Sequence, residues 1–270
     1  MRKVLTLVLT AGTALTLAAG CSNHGSSGTN DAQAPGVPAP SASVSASPAP
    51  APSVSATPTP SVSTPPAKLP KLKVGSKGAA VLALQQRLTE LGYWNGTADG
   101  KFGGTTQQAV YALQKAAGLG RDGSVGPKTR KALDDGVRPT ARSKAGSGYL
   151  VEINLKKQLL MFVRNGEVVA TLNTSTGSNM HYLYQGDTYL ADTPSGHFKV
   201  GRQIDGVRHG PLGDLYRPKY FNGGIAVHGA PSIPPYPASH GCARVSNAAI
   251  NWIWSTGKIP LKTKVWVYRG

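Results

Sequence analysis

Acidic residues are scarce in this chain: 12 Asp and Glu stand against 29 Lys and Arg, a net charge of +17. A surface that cannot neutralise itself calls for an anionic partner. Between residues 215 and 270 there is no Asp or Glu at all. A carboxylate serving a site there must come from Asp187, Asp192, Asp205 or Asp214. Cysteine is nearly missing, with two in 270 residues, which excludes a disulfide-dense scaffold. No H-x-x-x-H, H-x-x-E-H or D-x-H motif occurs, so the histidines offer no zinc-peptidase ligand set. The apolar run Val4 to Ala19 is too short to span a bilayer comfortably.

That run follows the positive Met1-Arg2-Lys3 and leads to Ala18-Ala19-Gly20 before Cys21. The arrangement resembles the lipobox of bacterial lipoprotein signal peptides. The resemblance implies a leader at residues 1–20, cleavage before Cys21, acylation of Cys21 and export. The protein then sits lipid-anchored on the outer face of the cytoplasmic membrane, in the cell wall. Nucleic acid is not the expected partner there, and the positive charge answers anionic wall polymers or phospholipid head groups. Lipid on Cys21 leaves Cys242 without a disulfide partner. A lone thiol in an oxidising compartment is a hazard unless it is used.

Residues 21–67 read as a disordered tether of Ser, Ala and Pro, with Asp31 its only formal charge. Residues 68–136 read as a helical module. Val81, Leu82, Leu84, Leu88 and Leu91 recur at helical spacing. Thr105 and Gln108 fit a capping box for a second helix carrying Ala109, Val110, Leu113 and Ala117. Pro127 opens a short third helix. The turns Asp99-Gly100-Lys101-Phe102-Gly103 and Asp122-Gly123-Ser124-Val125-Gly126 repeat one pattern, so the module holds an internal half-repeat. With Leu84-Gln85, Leu91-Gly92-Tyr93 and Leu113-Gln114, these residues resemble the peptidoglycan-binding domain family. The resemblance implies a three-helix fold and wall binding, and a spacer without binding of its own is the alternative.

Residues 137–147 read as a linker, and 148–270 as a mainly β domain. Tyr149 to Leu155 alternates with period two. Leu159 to Val163 and Glu167 to Leu172 flank Asn165-Gly166, a hairpin with a type I′ turn. Ile225-Ala226-Val227 is a short strand leading into His228. Ser246 caps a helix through Ala249, Ile250, Ile253 and Trp254, and Lys264 to Tyr268 is a last strand. The tryptophans Trp252, Trp254 and Trp266 are assigned to the core.

The chemistry concentrates in Ile225 to Ser246, which holds two of the six histidines and Cys242. Cysteine catalysis needs a thiol, a base, a group that orients the base, and donors for the oxyanion. Cys242 is the nucleophile, and His228 and His240 compete as base. Glycine at 241 lets the N–H groups of Gly241 and Cys242 point into one pocket. A backbone carbonyl such as that of Gly229 is the simplest orienter.

His228-Gly229-Ala230-Pro231 and Ser239-His240-Gly241-Cys242-Ala243-Arg244 resemble the L,D-transpeptidase (YkuD-like) catalytic domain family. Ser175-Thr176-Gly177 and Thr193-Pro194-Ser195-Gly196-His197-Phe198 match further segments of it. The proline-rich loop 231–237 and the aromatic stretch 180–190 depart from the pattern. The resemblance implies a β-sandwich with one or few helices beside the three-helix domain. It implies that Cys242 attacks the carbonyl joining the third residue of a peptidoglycan stem tetrapeptide to D-alanine, with His228 as base. His240, Gly241 and Cys242 shape the oxyanion hole. Ser239, Arg244 and Gly229 support the loop or meet substrate. A second stem then accepts the acyl group in a 3→3 cross-link, with no metal or organic cofactor. A carboxypeptidase on the same fold and a non-catalytic wall-binding lipoprotein are the alternatives.

Overall fold

The structure, a computed structural model, describes residues 69–270. The leader, Cys21 and residues 21–67 of the tether lie outside the described residues. The described part begins with the helical module, whose helices are α1 (Ala79–Glu90), α2 (Gly104–Ala116) and α3 (Pro127–Asp134). Their apolar stripes bury Val81, Leu84, Leu88, Val110, Leu113 and Leu133 around Tyr93, Phe102 and Val125.

The half-repeat is built on two matching polar knots. Gln85 Nε2 donates to Asp99 Oδ1, Lys101 O and Thr106 Oγ1, while Gly100 N–H donates to Gln85 Oε1. In the second half, Gln114 Nε2 donates to Asp122 Oδ1, Ser124 O and Thr129 Oγ1, while Gly123 N–H donates to Gln114 Oε1. A buried glutamine is stable here because both ends of its amide are paired. The expected capping box does not form. Gly103 is the N-cap of α2, without a side-chain cap bond. Thr105 lies inside the helix, and Gln108 reaches elsewhere.

The β domain comprises β1 (Tyr149–Asn154), β2 (Leu159–Arg164), β3 (Glu167–Asn173), β4 (His181–Tyr184), β5 (Asp187–Leu190), β6 (Gly196–Lys199), β7 (Arg202–Gln203), β8 (Val207–Arg208), β9 (Leu215–Asn222), β10 (Ile225–Ala230), β11 (Ala243–Ser246), α4 (Asn247–Ser255) and β12 (Lys264–Tyr268). One sheet runs β3-β2-β1-β12-β6 and another β11-β10-β9-β7, with β8 beside β9 and β4-β5 a separate hairpin. Asn165 and Gly166 both have positive φ in the β2–β3 turn, the type I′ geometry expected. Ser246 Oγ accepts from Ala249 N–H as the N-cap of α4.

The period-two segment forms strand β1 as expected, with both of its faces covered. Period two alone does not say what covers each face, and Leu150 to Asn154 are all buried. Val151, Ile153, Phe162 and Val267 pack toward α4 and the second sheet. Leu150, Leu159, Met161, Val163 and Tyr268 share a core with the helical module. The module also covers the β3 edge. Trp94 N–H donates to Thr171 O, and Thr171 N–H donates to Gly92 O, which pairs an otherwise open strand. The segment 137–147 is no free linker either. The amides of Arg142 and Ser143 donate to the buried Glu152 carboxylate, each at 2.8 Å. The three tryptophans expected in the core are half-buried. They pack against the two buried cores, with Trp254 under Lys219 and its indole N–H donating to Arg217 O at 2.9 Å, and Trp266 stacked on His197.

Candidate active site

Strands β10 and β11 run parallel, with Val227 opposite Ala243 and His228 opposite Arg244. Side chains alternate along a strand. Val227, Ala243 and Val245 therefore face the core. Ala226, His228, Cys242 and Arg244 face the other way. His228, Cys242 and Arg244 line one cavity of about 620 Å³, with Ser239, His240, Tyr182, Arg202, Arg208 and Tyr220 around it.

Cys242 is half-buried. Its Sγ accepts from Ala226 N–H at 3.4 Å and faces Gly224 O at 3.8 Å. Burial pushes the thiol above its ordinary range, against the pull of the Ala226 amide and the Arg244 charge. His228 is buried, and its Nδ1 lies 2.9 Å from Gly229 O. A carbonyl only accepts, so Nδ1 carries the proton and Nε2 is the basic nitrogen. Burial pulls the imidazole down to about 4, which the Gly229 bond resists and Arg244 reinforces. Both shifts act in one direction: burial disfavours the thiolate of Cys242 and the imidazolium of His228 in the cavity they share.

His240 sits differently. It is exposed, with its ring edge-on to Tyr182 at 4.7 Å between centroids. Tyr182 comes from the aromatic stretch 180–190, which forms the β4–β5 hairpin at the cavity mouth.

Gly241 and Gly229 have backbone reasons to be glycine. Gly241 adopts φ +141°, and a Cβ there would meet Asp192 O at 2.7 Å. Its N–H is taken by Ser239 Oγ at 3.0 Å, and Ser239 donates in turn to Cys242 O at 2.6 Å. That commitment removes Gly241 N–H from the expected oxyanion pair. The Cys242 N–H makes no hydrogen bond among the described residues and remains open to an incoming oxyanion. At Gly229 a Cβ would meet Ile250 Cγ2 at 2.5 Å and Tyr216 Cδ1 at 2.8 Å. Gly229 therefore lets α4 approach, and its carbonyl orients His228.

The S-T-G and T-P-S-G segments gain definite positions. Ser175 and Arg244 exchange both backbone hydrogen bonds, and Thr176 O accepts from the amides of Ala238 and Ser239. Thr193 Oγ1 donates to Gly241 O at 2.6 Å and accepts from Gly177 N–H at 2.9 Å. Sequence reasoning missed this hydroxyl. The T-P-S-G motif was visible, but nothing local indicates a partner that far along the chain. Arg202 and Arg208 were also missed. Arg202 lies 3.7 Å over the Tyr220 ring, and no pattern around it marks a site.

A model of the L,D-transpeptidase catalytic domain matches residues 148–267, and one of a peptidoglycan binding domain matches residues 77–133. Among solved structures, the L,D-transpeptidase (residues 123–326) of Xylanimonas cellulosilytica is 55% identical. The alignment covers 76% of this chain and 100% of that one, with a TM-score of 0.71. Two curated relatives come from Bacillus licheniformis. N-acetylmuramoyl-L-alanine amidase CwlL is 50% identical over 23% of this chain and 18% of its own length. A probable N-acetylmuramoyl-L-alanine amidase is 36% identical over 43% of this chain and 32% of its own. The chain thus spans less than a third of the length of these curated relatives. A match spanning the whole of the solved relative, in a fold that brings His228 and Cys242 to one cavity, decides the assignment: the chain belongs to the L,D-transpeptidase family, with a peptidoglycan-binding domain ahead of its catalytic domain.

Proposed function

We propose that the chain is an exported cell-wall L,D-transpeptidase that forms 3→3 peptidoglycan cross-links through a thioester on Cys242. The observation that carries this reading is the pinned imidazole. Nδ1 of His228 is held by Gly229 O, which leaves Nε2 as the basic nitrogen of a residue that lines the same cavity as Cys242.

His228 takes the Cys242 proton as Sγ attacks the carbonyl carbon between the third stem residue and D-alanine. The Cys242 N–H stabilises the oxyanion. The intermediate collapses, the C–N bond breaks, and the proton passes from His228 to the amine of D-alanine. A side-chain amine of a second stem then attacks the thioester. His228 accepts the amine's proton and returns it to the leaving thiolate, and a new amide remains.

Wall-directed relatives and the peptidoglycan-binding domain support export and wall association. Lipid anchoring at Cys21 and contact of the basic surface with anionic wall polymers belong to the same reading. Incubation with tetrapeptide muropeptides and mass spectrometry tests it, with Cys242→Ala as control. A 3→3 dimer that vanishes in the variant supports the transpeptidase. Tripeptide without dimer supports a carboxypeptidase, and no change with either protein refutes the enzymatic reading.

A further inference from the structure

The loop from Pro231 to Ala238 joins His228's strand to Ser239, His240 and Cys242. Four of its eight residues are proline: Pro231, Pro234, Pro235 and Pro237. Proline has no N–H, so this loop has few donors with which to anchor itself. It is held instead through its carbonyls, and each needs a donor from elsewhere. Ser175 Oγ supplies one, to Tyr236 O at 2.7 Å. The other two come from the helical module. Arg121 Nη1 donates to Pro235 O at 2.8 Å, and Gln108 Nε2 donates to Ile233 O at 3.3 Å.

These donors are not loose surface side chains. Gln108 Oε1 accepts from Asn173 Nδ2 at 2.5 Å. Asn173 Oδ1 in turn accepts from Lys115 Nζ. Lys115 is 2% exposed, an ammonium buried between the module and the sheet. Its Nζ also donates to Gln158 O at 2.9 Å and to Thr174 O at 3.0 Å. Gln158 binds both the hydroxyl and the amide of Thr176. The carbonyl of Thr176 receives the amides of Ala238 and Ser239, where the loop re-enters the catalytic motif. A buried cation with no carboxylate beside it is costly unless several oxygens satisfy it. Here the oxygens that do so lie on the path to the catalytic loop.

We propose that the peptidoglycan-binding module is a working part of the catalytic site, with Arg121 and Gln108 as positioning residues that set the loop 231–238. The module's shared core with the sheet fixes the two donors, the donors fix the loop, and the loop fixes Ser239 and His240 beside Cys242. This rests on Cys242 being the nucleophile. Its effect is therefore on the geometry of attack more than on substrate affinity.

The test uses the full chain carrying Gln108→Ala with Arg121→Ala, and Arg121→Lys as the conservative variant. Neither side chain belongs to the apolar core, and the far-ultraviolet circular dichroism of each variant is matched to the wild type before comparison. Hydrogen–deuterium exchange reads the loop whatever reaction the site performs. In the double variant, peptides covering 231–239 exchange about fivefold faster, as loss of net hydrogen bonding near 1 kcal/mol implies. The kcat for D-alanine release falls about tenfold with KM nearly constant, and Arg121→Lys recovers part of both changes. Wild-type exchange in that segment overturns the proposal. So does faster exchange with unchanged kcat, or a lower melting temperature as the sole effect. Absence of D-alanine release from the wild-type chain refutes the proposed reaction instead, and the exchange result still decides the clamp.

Discussion

The Nδ1 of His228 and the carbonyl oxygen of Gly229, its neighbour in the chain, lie 2.9 Å apart. That short local bond replaces the carboxylate that residues 215–270 do not contain. It fixes the tautomer, so Nε2 is the base. His228→Ala therefore lowers kcat/KM for D-alanine release by about 10²–10⁴-fold. His240→Ala, at an exposed ring resting on Tyr182, costs less than about tenfold. Steady-state kinetics of both variants decides between the two histidines.

The same electrostatics separates two pH profiles. Burial holds His228 down to about 4 and pushes the Cys242 thiol above its ordinary range. The acid limb of kcat/KM for D-alanine release therefore falls near pH 4, with a plateau through neutrality. Alkylation of Cys242 by iodoacetamide, which needs the thiolate, climbs only at a pH above that at which an ordinary exposed thiol reacts. A thiolate–imidazolium pair would instead alkylate fast and evenly at neutral pH.

His228 also links stability to pH. Its folded value lies below its unfolded one, so protons bind the unfolded chain more strongly. The stability is fully present above 6.5 and is lost as pH falls toward 4. The separation corresponds to roughly 3 kcal/mol. Urea denaturation at pH 7 and pH 4.5 measures most of it. The difference between the two pH values is smaller in His228→Gln by a comparable amount.

Thr193 and Gly241 make a second long-range pair. Thr193→Val keeps the shape, loses the 2.6 Å bond and leaves Gly241 O and Gly177 N–H unpaired. The cost is about 1–3 kcal/mol. Thr193→Ser retains the bond and loses less. Thermal melts of the two variants rank them in that order.

Gly229→Ala tests why the catalytic His-Gly carries a glycine. The added methyl group meets Ile250 and Tyr216 inside van der Waals contact. Overpacking of that kind costs about 1–3 kcal/mol. A lowered melting temperature with the His228 titration shifted confirms that α4 and the base share this residue. An unchanged melt contradicts it.

The catalytic stretch was legible because its chemistry is local. His228, Ser239, Gly241, Cys242 and Arg244 lie within one run, and the alternation of β10 and β11 brings His228 and Cys242 to one face. The helical module was legible through its repeated Asp-Gly turns, each tied to a buried glutamine. What stayed hidden are groups whose partner lies far along the chain. Gln108 reads as half of a capping box, yet it serves Ile233, and Thr193 reads as a turn residue, yet it holds Gly241. β1 alternates, and a pattern of period two does not say what covers the second face. The answer was the module itself, and with it the segment 137–147 that reads as a linker.

A thioester on Cys242 can be weighed by mass spectrometry of the intact protein. The purified chain is mixed with a tetrapeptide donor, without acceptor, and quenched in acid. The expected product is an adduct equal to the donor less D-alanine, mapped by digestion to Cys242, lost on hydroxylamine treatment and missing from Cys242→Ala. D-alanine release that persists in Cys242→Ala, or an adduct on any other residue, would contradict it.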